Sequence, residues 1–561
     1  MSDRLSRSHA ELARSYDAIV VGSGYGGGVA ACRLARAGLR VCVLERGREF
    51  LAGEFPTRLR EMMRQTRYEG DWWQPGLPLA LFDFRPGEEL HVLLACGLGG
   101  GSLINAAVAL RPDLPTLRAR GWPADVLDDP GFDDDFARAE AMLGVTLPPS
   151  DTRAGARHRA LQRAAALIGA AAEPLPIAIG FVPRLNGSGV IQYACRRCGD
   201  CWSGCNAGAK NTVAVTYLAD AAAHGAAIFE RCRVSHIERG KGADWLVFMS
   251  RHDEDGSKPR GGEYAIAAPL LVLAAGSLGS TEIVLRSKAR GLALSERLGE
   301  GFSANGDDLA FLAGLDEPIG AVAIGYPTNV DGVAPPGPNC SAQIRIRTAD
   351  GTTQMLLQDG TMSRAMASLA PLDALKRLRL LRFARMLHDG KHSGRRARTA
   401  TFYIVGHDRS DGRVVLEADR AIVSWPDIAA DPCYAAARGA LEKIAEGLGA
   451  TLAANPFSSP LLGGKKVTVH PLGGCGMGRD AANGVVDARC RVFDPSAEHE
   501  QAVHAGLLVC DGAVMPGSVG VNPLLTITAV AERAIRLLVA EKGLQRRDDK
   551  PMDARVRDSH V

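Results

Sequence analysis

The chain has 561 residues, 46% of them hydrophobic and 23% charged, and its 66 basic and 63 acidic side chains leave a net charge of +3. A chain this long exceeds one simple core and is expected to fold as two or more lobes, and the near-balance of charge excludes a broad nucleic-acid or acidic-membrane surface. There is no apolar run of about twenty residues. The opening MSDRLSRSHAELARSYD has no apolar stretch after its charges, so we expect neither a transmembrane segment nor a secretory leader, and a cytoplasmic location. The 13 cysteines then read as reduced thiols or metal ligands rather than as a disulfide framework.

The first informative stretch is AIVVGSGYGGGVAACRLARAGLRVCVLERG, Ala18 to Gly47. Ala18–Val21 predicts a strand buried on both faces. Gly22, Gly24 and Gly27 follow as G-x-G-x-x-G, then a helix, then the strand VCVLE ending on Glu45. This order is the dinucleotide fingerprint. Gly22 permits the tight turn, Gly24 lets backbone approach a pyrophosphate, and Gly27 lets the helix pack on the strand. The phosphates sit at the helix N-terminus, where free N–H groups and the helix dipole favour an anion. Glu45 is placed to accept from the ribose hydroxyls and repels a 2′-phosphate. The pattern fits NAD as well as FAD; its place early in the chain, followed by Arg46-Gly47, favours FAD.

CGLGGGSLINAAVALRP (Cys96–Pro112) is a second glycine-rich loop, and its Gly100 and Ser102 are expected to lie against an extended ligand. CRRCGDCWSGCNAGAKNT spaces Cys195, Cys198, Cys201 and Cys205 as C-x2-C-x2-C-x3-C. That spacing matches a ferredoxin run with Asn206 in place of the usual proline, and reads as a [4Fe–4S] or zinc site, or as a buried turn with inert thiols. PLLVLAAGSLGSTEIVLRS (Pro269–Ser287) predicts a buried strand, a turn and a helix. From 314 to 462 the glycine loops stop; SAQIRIRTA, TATFYIVGH and GRVVLEA are strand-like, and LDALKRLRLLRFARMLHDG is a basic helical stretch that fits a solvated face or a transient membrane contact. A strand then ends at Asp511-Gly512, and a long helix is expected from Asn522-Pro523, with Pro523 at the first helical position. The tail EKGLQRRDDKPMDARVRDSHV is expected to be disordered.

Four blocks, Ala18–Gly47, Cys96–Pro112, Ala274–Ser287 and His470–Arg536, together resemble the glucose–methanol–choline family of FAD-dependent alcohol oxidoreductases, and within it the bacterial cholesterol oxidase group. The match includes HPLGGCGMG and DGAVMPGSVGVNPLLTITAVAER. The resemblance implies an α/β fold, α+β overall, in which a Rossmann-like FAD domain is assembled from 15–120, 191–313 and 463–542. A helical or lid insertion would fill 121–190, a smaller mixed-sheet substrate domain 314–462, and a tail 543–561. It implies that His470 is the active-site histidine and Asn522 its partner, that Asp511 with Gly512 holds the ribityl chain, that Asn105 borders the flavin, and that Val234 meets the adenine through its backbone. Asn522 and Pro523 would border the cofactor at the helix start.

The chemistry implied is oxidation of a CH–OH group, with hydride passing to flavin and a neutral imidazole taking the hydroxyl proton. Asn522 would donate to the substrate oxygen, and could equally be an N-cap. The resemblance points to a bulky hydrophobic alcohol, best a sterol, with FAD held non-covalently because His91 has a different context from flavin-linking histidines. O2 or an electron-carrier protein would take the electrons. Steroid-ring isomerisation needs a carboxylate over the rings; Gln354, Gln358 and Asp359 occupy the fitting region, and no glutamate stands out. The rivals are a non-steroid alcohol dehydrogenase passing electrons to a quinone or iron–sulfur acceptor, and a non-catalytic flavin-binding sensor or assembly subunit.

Overall fold

The computed structural model describes residues 4–69, 76–152, 155–242, 244–253, 261–327, 332–348, 351–367, 392–453, 455 and 465–545. Its elements are those of a mixed α/β protein. The apolar run Ala18–Val21 forms a strand buried along its whole length. It lies inside a six-stranded sheet ordered Arg491–Phe493, Val503–Val509, Leu270–Leu273, Ala18–Val21, Val41–Leu44, Ala227–Phe229. All pairings are parallel except the antiparallel edge strand Arg491–Phe493. Uninterrupted apolar runs suit this position because both faces are covered. Helix Tyr25–Arg36 packs against helix Leu524–Glu541 on one face. Between them the buried Glu532 carboxylate accepts from the Arg33 guanidinium at 2.7 Å and from Tyr217 OH at 2.8 Å.

A second six-stranded sheet is antiparallel throughout, ordered Thr451–Ala453, Asp308–Ala313, Thr399–Gly406, Thr353–Gly360, Ala342–Arg347, Ala172–Pro174. Helices Ala156–Leu167 and Pro432–Gly447 cover one face, against Met355, Leu357, Phe402 and Ile404. Side chains alternate across a strand, so the intervening Gln358 and Tyr403 belong to the opposite face, which meets a cavity. The sheet therefore reaches outside 314–462, drawing strands at 308–313 and 172–174. GRVVLEA forms a strand, Arg413–Glu417, but pairs only with Arg420–Ser424 as a separate hairpin. The basic stretch at 372–390 lies outside the described residues, as does nearly all of the tail.

Candidate active site

One cavity of about 400 Å³ is lined both by the first glycine loop and by His470 and Asn522. Gly22 has φ +93°, and a Cβ there would fall 2.2 Å from the Ala274 carbonyl oxygen; at Gly27 it would fall 2.1 Å from the Gly22 carbonyl oxygen. These two glycines permit the turn and the close seat of the helix. Gly24 is different. A Cβ there would meet nothing nearer than Gly100 Cα at 4.0 Å, and at Gly101 and Gly276 nothing lies within 4 Å. All three line the cavity. Bare backbone facing open space is a cradle that a ligand fills and a side chain would obstruct.

Polar groups punctuate this cradle. Glu45 is buried; its carboxylate accepts from Ser23 N at 3.2 Å and Gly47 N at 2.7 Å, and burial raises its pKa. Asp511 accepts from Gly276 N at 2.8 Å, Ser280 Oγ at 2.6 Å and Ala513 N at 2.8 Å, again with a pKa raised by burial. Both carboxylates keep acceptor capacity on the cavity side, matching the hydroxyl-rich ribose and ribityl parts of FAD. Val234 lines the cavity where its strand bulges, between Val234 and His236. Asn105 lines it too, donating from Nδ2 to Tyr25 OH at 2.7 Å. Gly100, Gly512 and Pro523 also border it. Ser102 does not. Its hydroxyl donates to Gly99 O at 2.6 Å and accepts from Val213 N at 3.0 Å, which pins the loop.

At the far end His470 follows the short strand Lys466–Thr468. Its Nδ1 lies 2.7 Å from Asp307 Oδ1. The other Asp307 oxygen accepts from Thr468 Oγ1 at 2.8 Å, Val469 N at 2.8 Å and His470 N at 3.0 Å. This carboxylate fixes both the backbone and the ring. With Nδ1–H donated to it, Nε2 is left as the acceptor of the neutral imidazole. Asn522 is buried, and its Oδ1 accepts from Gln358 Nε2 at 2.6 Å. The loop before it is held by Asn305, which accepts from Val519 N at 3.0 Å and Gly520 N at 3.1 Å and donates to Val521 O at 2.8 Å. Asn522 makes no capping bond: the helix starts at Leu524, and the Pro523 carbonyl takes the first helical N–H, from Ile527, at 2.9 Å.

The metal-site reading of the cysteine run is corrected by the structure. Among the described residues no three His, Cys, Asp or Glu side chains are grouped to hold a metal ion. Burial pushes the Cys195 thiol up to about 12 and Cys201 up to about 11, and raises Cys198 too. Asp307 and Gln358 are the site residues that sequence reasoning missed in these roles. Asp307 sits in NGDDLAF, where only a polar pair before an apolar strand hints at it.

A glycine cradle at the ends of a parallel sheet, roofed by an antiparallel sheet over a His–Asp pair and an amide pair, defines a dinucleotide-dependent oxidoreductase. The chain belongs to the GMC oxidoreductase family, whose N-terminal model matches residues 16–303 and whose C-terminal model matches 410–531, a family of FAD oxidoreductases acting on alcohols. It is 28% identical to a cholesterol oxidase of Mycobacterium tuberculosis, covering 93% of this chain and 91% of that one. A cholesterol oxidase of Acinetobacter baumannii is 27% identical over 94% and 95%. A long-chain-alcohol oxidase of Arabidopsis thaliana is 25% identical over 92% and 66%. The fold is shared with a pyridoxine 4-oxidase from Mesorbium loti (TM-score 0.59, 18% identity, 93% and 98% covered). It is also shared with a fungal aryl-alcohol oxidase (TM-score 0.61, 15% identity, 95% and 100% covered).

Proposed function

We propose that this protein oxidises the carbinol of a bulky apolar alcohol, a sterol before a long-chain alcohol, with FAD bound non-covalently and O2 as electron acceptor. The observation that carries the reading is the single cavity that joins the open glycines to the His470–Asp307 pair. Bound FAD supplies the acceptor for the carbinol hydride. Gly24, Gly101 and Gly276 leave its phosphate chain room, Glu45 holds the adenosine ribose, and Asp511 the ribityl chain. His470 Nε2 takes the hydroxyl proton, and Asp307 steadies the imidazolium that results. Because Gln358 occupies Asn522 Oδ1, the Asn522 amide nitrogen is the group turned to the substrate oxygen.

The cavity wall includes the apolar side chains Val108, Trp202, Cys340 and Val405, which favours an apolar substrate. Preference for a sterol rests on the two cholesterol oxidases at 27 and 28% identity. We propose oxidation without double-bond migration. Asp307 is committed to His470 and Asp308 to Lys466 at 2.6 Å, while Asp359 is held by Arg157 at 2.8 Å and by Ser341. Gln358, beside Asn522, offers an amide instead of an acid. His91 packs against Phe84 and does not line the cavity, which favours non-covalent flavin.

Anaerobic addition of sterols, long-chain alcohols and short alcohols to the FAD-loaded protein tests this. Bleaching of the yellow colour by the bulky apolar members, and its return on admitting air, is expected. Protein that takes up no FAD, or stays yellow with every alcohol, overturns the reading.

A further inference from the structure

The cysteine run loses its metal reading yet remains tied into the cavity wall. Trp202 rides on the single helical turn Cys201–Ser203 and lines the cavity. Its Nε1 donates to the Thr361 carbonyl at 3.4 Å. The same carbonyl accepts from Asn339 Nδ2 at 2.9 Å and Tyr403 OH at 2.8 Å, and both of those residues also line the cavity. Tyr403 lies directly across the sheet from Gln358, whose amide donates to Asn522. The indole is thus linked through a short chain of contacts to the reaction end.

Behind it stands a buried ammonium. Lys210 Nζ donates to Cys201 O at 2.8 Å, Leu103 O at 2.7 Å and Asn105 O at 3.0 Å. All three of its protons are used on carbonyls, and among the described residues it makes no ion pair. Burial lowers its pKa to about 8. Lys210 therefore fastens the Trp202 turn to the loop that carries Asn105. Asn206 fastens the other end, accepting from Gly53 N and Phe55 N at 3.0 Å and donating to Phe55 O at 3.0 Å.

We propose that Trp202 is the specificity-determining residue at the substrate end, a rigid aromatic wall that limits the width of the alcohol next to its carbinol, and that Lys210 is its positioning residue. This rests on the alcohol-oxidising reading above. The test compares kcat/KM for a straight primary alcohol such as 1-decanol with that for a polycyclic sterol. Trp202→Ala should move the ratio toward the wider alcohol at least tenfold, and Trp202→Phe less. Lys210→Met should move it in the same direction with FAD retained. A ratio within twofold of wild type in Trp202→Ala overturns the proposal; if that variant does not hold FAD, Trp202→Phe decides by the same measure. A Lys210→Met protein that loses FAD or heat stability while keeping the wild-type ratio overturns the role of Lys210. Should wild type oxidise neither alcohol, the reading under Proposed function falls separately. Calorimetric binding of both alcohols to the FAD-loaded proteins then tests the wall, with tighter sterol binding by Trp202→Ala expected and unchanged binding fatal to it.

Discussion

Asp307 is the residue on which the proposed chemistry leans most after His470. It gives one oxygen to the ring and the other to two backbone N–H groups and a hydroxyl. Asp307→Asn removes the charge that stabilises an imidazolium and sets an amide against donors. Flavin reduction by the preferred alcohol should slow by about 10²-fold in stopped-flow traces, with FAD content unchanged. Gly24→Ala probes the cradle: its Cβ has room against protein, with Gly100 Cα at 4.0 Å, but occupies the ligand's space. The apoprotein should fold normally while the Kd for FAD rises about tenfold, ~1.4 kcal/mol, by titration. His470 and Asn522 were legible because each lies in a compact local motif. Asp307, and the pairing of Gln358 with Asn522, were not, since these contacts span 163 and 164 positions, and no local spacing encodes such a pairing.

At the scale of elements, the apolar runs declared themselves. Ala18–Val21, Val41–Leu44, Ala342–Arg347 and Thr399–Gly406 all became strands, because a buried strand needs little beyond four or more suitable side chains in a row. Partnership was harder to read: nothing in GRVVLEA says that it pairs with its neighbour rather than with the large antiparallel sheet. The helix pair Tyr25–Arg36 and Leu524–Glu541 is fastened by a buried charge, since Glu532 is fully covered and meets Arg33 and Tyr217. Glu532→Ala removes the buried carboxylate that meets Arg33 and Tyr217 and should cost about 3–5 kcal/mol of stability, read as a lower denaturation midpoint. Glu532→Gln, which keeps a hydrogen-bond acceptor, should cost less.

Across the whole molecule, stability should fall on mild acidification in a way that one side chain controls in part. Burial, and then the Arg120 charge, lower the pKa of His407 from 6.5 to about 4. The unfolded chain binds a proton in that window which the native site resists, so His407 erodes stability as pH drops from 6.5 toward 4. The full effect, allowing for its partial exposure, is about 2 kcal/mol, and His407→Gln should flatten the melting temperature across that range relative to wild type. A change of architecture was legible where the glycine loops stop, but the large antiparallel sheet also draws strands from 172–174 and 308–313. The composition of the cavity wall was not legible, because residues near 24, 105, 202, 276, 358, 470 and 522 meet there only after the chain has crossed between the sheets. The same interleaving dictates a sequence of events during biosynthesis. The backbone amide at 276 and the carboxylate at 511 that close the cradle are joined directly, and the last long helix is locked onto the first. On the proposed FAD reading, a nascent chain halted before residue 500 lacks Asp511, and cofactor capture should wait for nearly the entire polypeptide to leave the ribosome. Ribosome-stalled fragments of increasing length should acquire flavin absorbance abruptly at the end rather than by degrees.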